Sequence, residues 1–117
     1  MTNIQVINNW LIGKDGQSGS MRSEDGKLFS YNLPIAIRTA AFQHQAKWYD
    51  VYDYDIDTIE EKTGYRSMTT RQHIGLVTRA LLNTKRRFTI HTYRYGNEEI
   101  EYRNVPVPTH ILSLKHI

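Results

Sequence analysis

The sequence predicts an α+β domain: a mainly antiparallel sheet of about seven strands, covered on one side by a single helix at about residues 69–83. Three observations predict it. Short β-rich runs of alternating polarity fill most of the 117 residues, separated by Gly, Asp and Asn turn signals. Only the segment from Thr69 to Asn83 repeats its apolar residues at helical spacing. No internal repeat or linker divides the chain, so residues 1–117 read as one domain. Rolled further, the same strands would make a small half-open barrel.

Ile4 to Ile12 reads as the first strand, with Ile4, Val6 and Trp10 opposite Ile7 and Leu11. The glycine- and polar-rich stretch Gly13 to Ser20 follows as a hairpin connection. It lacks the Gly-Lys-Ser/Thr ending of a phosphate-binding loop. Asp25-Gly26 is a turn signal before a short strand, Lys27 to Asn32. Pro34, which has no N–H for a ladder, marks a bulge, strand start or edge, and Ile35 to Thr39 resumes extended structure. Phe42 to Gln45 reads as a turn. Lys47 to Ile56 is the next strand, placing Trp48, Tyr52, Tyr54 and Ile56 on one face and Val51, Asp53, Asp55 and Asp57 on the other.

The helix starts at Thr69 or Thr70, where Thr69 at N-cap and Gln72 at N3 form a capping-box pattern. Ile74, Val77 and Leu81 form its apolar stripe, and Lys85-Arg86-Arg87 follows at the negative end of its dipole. Arg87 to Tyr95 alternates as a strand, Gly96-Asn97 turns, and Glu98 to Arg103 returns, giving a hairpin. Val105 to Pro108 is extended, and Ile111 to Ile117 forms a last strand or short helix.

A net charge of +3 hides two opposed segments. Phe42 to Gly64 carries two lysines against six acids, whereas Arg66 to Lys115 carries nine Lys/Arg against three acids. Long-range attraction follows such local sums, so the second segment favours anionic partners. The absence of cysteine excludes disulfides, thiolate catalysis and Cys-based zinc sites. With 39% hydrophobic and 23% charged residues, no signal-peptide pattern at the start and no long apolar run, the chain reads as a soluble, cytoplasmic protein that does not enter a membrane.

Enzymatic signals are missing. The five histidines show neither H-x-x-x-H nor H-E-x-x-H spacing, and no Gly-x-Ser-x-Gly surrounds a serine. Asp53, Asp55 and Asp57 form a carboxylate ladder able to offer oxygens to Mg²⁺ or Ca²⁺, but the calcium-loop template fails at Thr58 and Gly64. A solvated acidic edge explains the ladder more simply, and no cofactor is implied. Eight of the thirteen aromatics are Tyr, and Tyr52/Tyr54 and Tyr93/Tyr95 recur at strand spacing. Such spacing sets rings on one sheet face, either as packing or as a platform for stacked bases. Lys85, Arg86, Arg87, Tyr93, Arg94 and Tyr95 interleave cations with rings and are the candidate binding residues, with phosphates as the natural target of the guanidinium groups.

Ser30-Tyr31-Asn32-Leu33-Pro34-Ile35-Ala36 and, downstream, Tyr65-Arg66-Ser67-Met68-Thr69-Thr70-Arg71-Gln72-His73 are the most distinctive segments. Together they resemble a group of small uncharacterised bacteriophage proteins with the patterns S-Y-x-x-x-I-A and Y-S-x-T-T-x-x-H, the second departing here by the extra Arg66. The resemblance covers residues 30–73 and implies a phage origin, and with it stoichiometric binding to host machinery rather than catalysis. The expected function is thus a non-catalytic accessory protein that engages a nucleic acid or a host nucleic-acid-processing or defence complex in the host cytoplasm. The alternatives are a self-assembling interaction protein, whose acidic and basic segments pair between subunits of a homo-oligomer, and a small metal-dependent enzyme.

Overall fold

A computed structural model describes residues 1–39 and 48–103. The α+β class is as expected, but among the described residues three helices accompany the sheet in place of one. In chain order the elements are α1 (Asn3–Leu11), β1 (Gly16–Gln17), β2 (Met21–Glu24), β3 (Lys27–Ser30), β4 (Leu33–Thr39), β5 (Trp48–Tyr54), α2 (Ile56–Thr63), α3 (Met68–Asn83), β6 (Phe88–Arg94) and β7 (Asn97–Arg103). The seven strands form one open sheet in sequence order, and it does not close into a barrel. Every neighbouring pair is antiparallel except β5 and β6, which run parallel. Parallel neighbours need a crossover, and α2 and α3 supply it.

The segment read as a first strand is helix α1. A capping box starts it: Gln5 N–H donates to Thr2 Oγ1 at 3.2 Å, and Thr2 N–H donates to Gln5 Oε1 at 2.9 Å. Val6, Ile7, Trp10 and Leu11 are buried at i, i+1, i+4 and i+5, a helical stripe that packs on β1, β2 and β3. Ile4 and Ile12, which completed the apparent alternation, are both exposed. Part of the predicted glycine-rich loop joins the sheet as β1, with Gly16 opposite Ser23.

Asp25-Gly26 is a turn, with both residues in the left-handed region. The second predicted hairpin turn falls one residue earlier, at Tyr95-Gly96, so Asn97 already opens β7. Pro34 pairs with Phe29 where the β3–β4 register shifts, the bulge position its missing N–H suits. The predicted turn at Phe42 to Gln45 and the extended segment from Val105 onward lie outside the described residues.

Helix α3 starts one residue ahead of the predicted site, at Met68. Its N-cap is Ser67, whose Oγ accepts the Thr70 N–H at 3.1 Å. Ile74, Val77 and Leu81 are buried as predicted, together with Thr70 and His73, and this face lies on β5. The core between helices and sheet centres on Trp10, Tyr49 and Phe88, all fully buried. Trp10 meets Tyr49 edge to face at 5.2 Å, and each polar tip finds a carbonyl: Trp10 Nε1–H on Gly26 O at 2.8 Å, Tyr49 O–H on Leu11 O at 2.6 Å.

Helix α2 was not foreseen, and it dismantles the carboxylate ladder. β5 ends at Tyr54; Asp55 is the N-cap of α2, and Asp57 sits in its first turn. Gly64, with φ of 84°, closes the helix in the left-handed region. No helix among the described residues is long and apolar enough to cross a membrane.

Candidate functional site

Side-chain alternation gives the sheet two different faces. Tyr49, Val51 and Phe88 point toward α1 and α3 and are buried. On the opposite face the registers align Trp48, Asp50, Tyr52 and Tyr54 of β5 with Thr89, His91 and Tyr93 of β6, and these with Tyr102, Ile100 and Glu98 of β7. Phe29 and Ile37 extend the same face across β3 and β4. Neither α1 nor α3 covers it.

The rings on this face form two groups, and all but Tyr54, which is buried, remain partly accessible. Trp48 meets Tyr102 at 6.3 Å in a T-shape, Tyr52 stacks on His91 at 5.0 Å and on Tyr54 at 6.0 Å, and Tyr54 meets Tyr93 at 4.8 Å. Arg22 lies 4.3 Å above the Phe29 ring, and Lys62 of α2 lies 5.2 Å from the Tyr54 ring. Tyr102 is 66% exposed, the most accessible ring of the set. Trp48 is fixed by its Nε1–H on Thr89 Oγ1 at 2.9 Å, which leaves the indole half-buried.

Two carboxylates sit among the rings. His91 Nε2 lies 3.0 Å from Asp50, and its Nδ1 lies 3.5 Å from Glu98. Burial, followed by the hydrogen bond to Glu98, pushes the Tyr93 phenol far above its usual pKa. Burial and then the Asp50 charge do the same, less strongly, for Tyr52. The phenols therefore stay neutral and act as donors, while the carboxylates offer acceptors.

Of the six residues singled out in the sequence, the four cations separate into three situations and the two tyrosines into two. Lys85 and Arg87 are exposed, and their side chains make no ion pair among the described residues. Arg86 turns inward instead: it donates to Tyr49 Oη at 2.9 Å, with its guanidinium 5.6 Å from that ring. Arg94 reaches across to Asp53 at 3.4 Å, where Arg71 is already bonded, so one aspartate holds two guanidinium groups. Tyr93 lies on the open face, whereas Tyr95, 93% exposed, forms the hairpin turn.

The former ladder has other duties. Asp53 holds Arg71 and Arg94, Asp57 holds Arg66 at 2.8 Å, and Asp55 caps α2. The Thr58 hydroxyl and amide hold the Asp55 carboxyl below its usual pKa. Among the described residues no group of three His, Asp or Glu is placed to hold a metal ion.

Sequence reasoning put Trp48 on the face of Tyr52 and Tyr54 without naming it a binding residue, and missed His91 and Tyr102 as members of the surface. The parallel β5–β6 register aligns His91 with it and the β6–β7 register adds Tyr102, and those pairings have no local signal. Compared with known proteins, the chain matches no family model, no curated protein and no solved structure.

Proposed function

We propose that this is a non-catalytic binding protein of phage type that engages single-stranded nucleic acid, free or within a host nucleoprotein complex, across the open face of its sheet. One observation carries the reading: a sheet covered by helices on one side presents, on the other, two groups of partly accessible rings on one face, Trp48 with Tyr102, and Tyr52 with His91 and, across the buried Tyr54, Tyr93. Bases stack on such rings whatever their identity, at about 1–3 kcal/mol each. Asp50 and Glu98 would repel phosphates laid directly over them, but they suit base amino groups. Phosphates would follow the cationic rim, where Lys85 and Arg87 are free to pair.

The test uses the two tryptophans. Trp10 is fully buried, so quenching by a short single strand reports on Trp48. Tyr102→Ala is expected to weaken binding roughly 5- to 150-fold, at the stacking energy quoted. Replacing Lys85 and Arg87 together with Glu should make the plot of log K against log salt shallower by about 1.4, at roughly 0.7 per lost phosphate contact. Unchanged affinity in both variants rejects this surface.

A second reading, self-assembly, is favoured by β7. It is the outermost strand, every one of its residues is exposed, and no described strand pairs with its outer side. Such edges template strand addition, so a concentration-dependent oligomer without nucleic acid would favour this reading.

A further inference from the structure

The two distinctive segments of the sequence, 30–36 and 65–73, converge on a pocket that the proposed interface does not use. It lies between the β3–β4 turn and the α2–α3 junction, has a volume of about 650 Å³, and is bordered by Tyr31, Asn32, Lys62, Tyr65, Ser67 and Thr70. That volume is in the range of small-ligand sites, roughly 300–1,000 Å³. We infer that this pocket binds a small anion carrying a planar ring, of the nucleoside monophosphate class.

A buried polar chain behind the pocket supplies the first argument. Ser18 donates to Asn3 Oδ1 at 2.5 Å, so the Asn3 amide nitrogen is the atom facing His73 Nε2 at 3.3 Å. Nε2 is therefore an acceptor. Burial lowers the His73 pKa, so the ring is neutral and its proton sits on Nδ1, which donates to Ser30 Oγ at 2.7 Å. Ser30 then donates to Thr70 Oγ1 at 2.9 Å, and Thr70 donates to Ser67 Oγ at 3.0 Å. Ser67 Oγ also accepts the Thr70 N–H, and no described group accepts the hydrogen of Ser67 itself. The chain thus runs one way and ends in a hydroxyl donor at the pocket wall. The same polarity removes the Ser30–His73 pair from nucleophilic chemistry, because the nitrogen facing Ser30 already carries a proton.

Charge and shape supply the rest. Among the described residues Lys62, whose ammonium also lies 5.2 Å from the Tyr54 ring, is the one charged residue bordering the pocket, and no carboxylate does. The nearby Arg66, Asp57 and Glu60 are engaged with one another. Tyr31 and Tyr65 border the pocket with 52% and 77% of their surfaces exposed; Tyr31 meets the His73 ring at 6.2 Å on one side only, so both rings keep half or more of their surface for a ligand. Tyr31 is also held at φ of 55°, a left-handed conformation that a side-chain-bearing residue adopts at a cost. Folding alone would be served better there by glycine; an aromatic ring held at that position against its backbone preference fits a role in stacking.

Isothermal titration calorimetry tests this with the whole chain. The four nucleoside monophosphates are titrated alongside adenosine, ribose 5-phosphate and inorganic phosphate. At least one nucleoside monophosphate should bind, with adenosine and ribose 5-phosphate each weaker by at least about 5-fold, the loss of one stacking or charge contact. Tyr65→Ala and Lys62→Gln, both at exposed positions, should each weaken it by a similar factor, and Tyr102→Ala on the open face should not. No heat from any nucleotide at millimolar concentration, equal binding of ribose 5-phosphate, or unchanged affinity in both pocket variants would overturn the inference. Since Tyr102→Ala affects only the open face, failure here leaves the nucleic-acid reading separately testable.

Discussion

Replacing Ser30 with alanine tests the direction of the buried polar chain. Ser30 is 1% exposed, and its Oγ sits 2.7 Å from His73 Nδ1 and 2.9 Å from Thr70 Oγ1. Removing one oxygen leaves little cavity, so the cost comes from what is stranded. Thr70 loses an incoming bond but still donates to Ser67, and a hydroxyl oxygen with a spare lone pair tolerates that. The His73 Nδ1–H loses its acceptor inside the protein, which costs about 1–3 kcal/mol. We therefore expect Ser30→Ala to destabilise by roughly 2 kcal/mol, read from urea unfolding followed by Trp10 fluorescence. In a His73→Phe background there is no donor to strand, and the same substitution should cost under about 1 kcal/mol, the worth of one ordinary hydrogen bond. The cycle would then show a coupling of about 1 kcal/mol or more, whereas independent sites add within roughly 0.5 kcal/mol. Equal costs in the two backgrounds would refute the assignment of the proton to Nδ1.

Two further outcomes follow from the same region. Tyr31→Gly relieves the left-handed backbone, worth about 1–2 kcal/mol, against the extra unfolded-state entropy of glycine, about 0.5–1 kcal/mol, and the loss of the contact with the His73 ring; stability within about 1.5 kcal/mol of the parent should accompany weaker nucleotide binding, measured by urea unfolding and calorimetry. Stability should also respond to pH through His73, whose folded-state pKa lies below the ordinary 6.5 because of burial. The unfolded chain binds the proton more readily, so the contribution is complete above about pH 6.5, declines as pH falls below it, and levels off beneath the folded-state pKa. A series of urea midpoints from pH 8 to pH 5 measures this, and His73→Phe should flatten that part of the profile.

How far the sequence led depended on whether a signal was local. Helix α3 was readable because Ile74, Val77 and Leu81 repeat at its period and all are buried. Helix α1 was misread because exposed Ile4 and Ile12 gave the appearance of alternation to a stripe that is helical. The Thr2–Gln5 capping box was present in the residues and outweighs that alternation. The Asp53–Asp55–Asp57 spacing looked like one strand face because alternation carries no mark of where a strand stops. Asp55 as an N-cap and Gly64 as a C-cap were the boundaries to read. Alternation did place Trp48, Tyr52 and Tyr54 on one face, yet Tyr93, His91 and Tyr102 join them through tertiary pairing, and Tyr95, spaced like a partner of Tyr93, lies in the turn. The inward turn of Arg86 onto Tyr49 likewise belongs to the core and leaves no trace in the charge pattern.

The open sheet face is examined most directly by amide chemical-shift mapping, with ¹⁵N-labelled protein and a single strand on the order of a dozen nucleotides. Shifts concentrated on β5, β6 and β7 around Tyr52, His91, Ile100 and Tyr102 are predicted, with α1 and the outer surface of α3 unmoved. Shifts confined to the helical side, or none at saturating oligonucleotide, would contradict it.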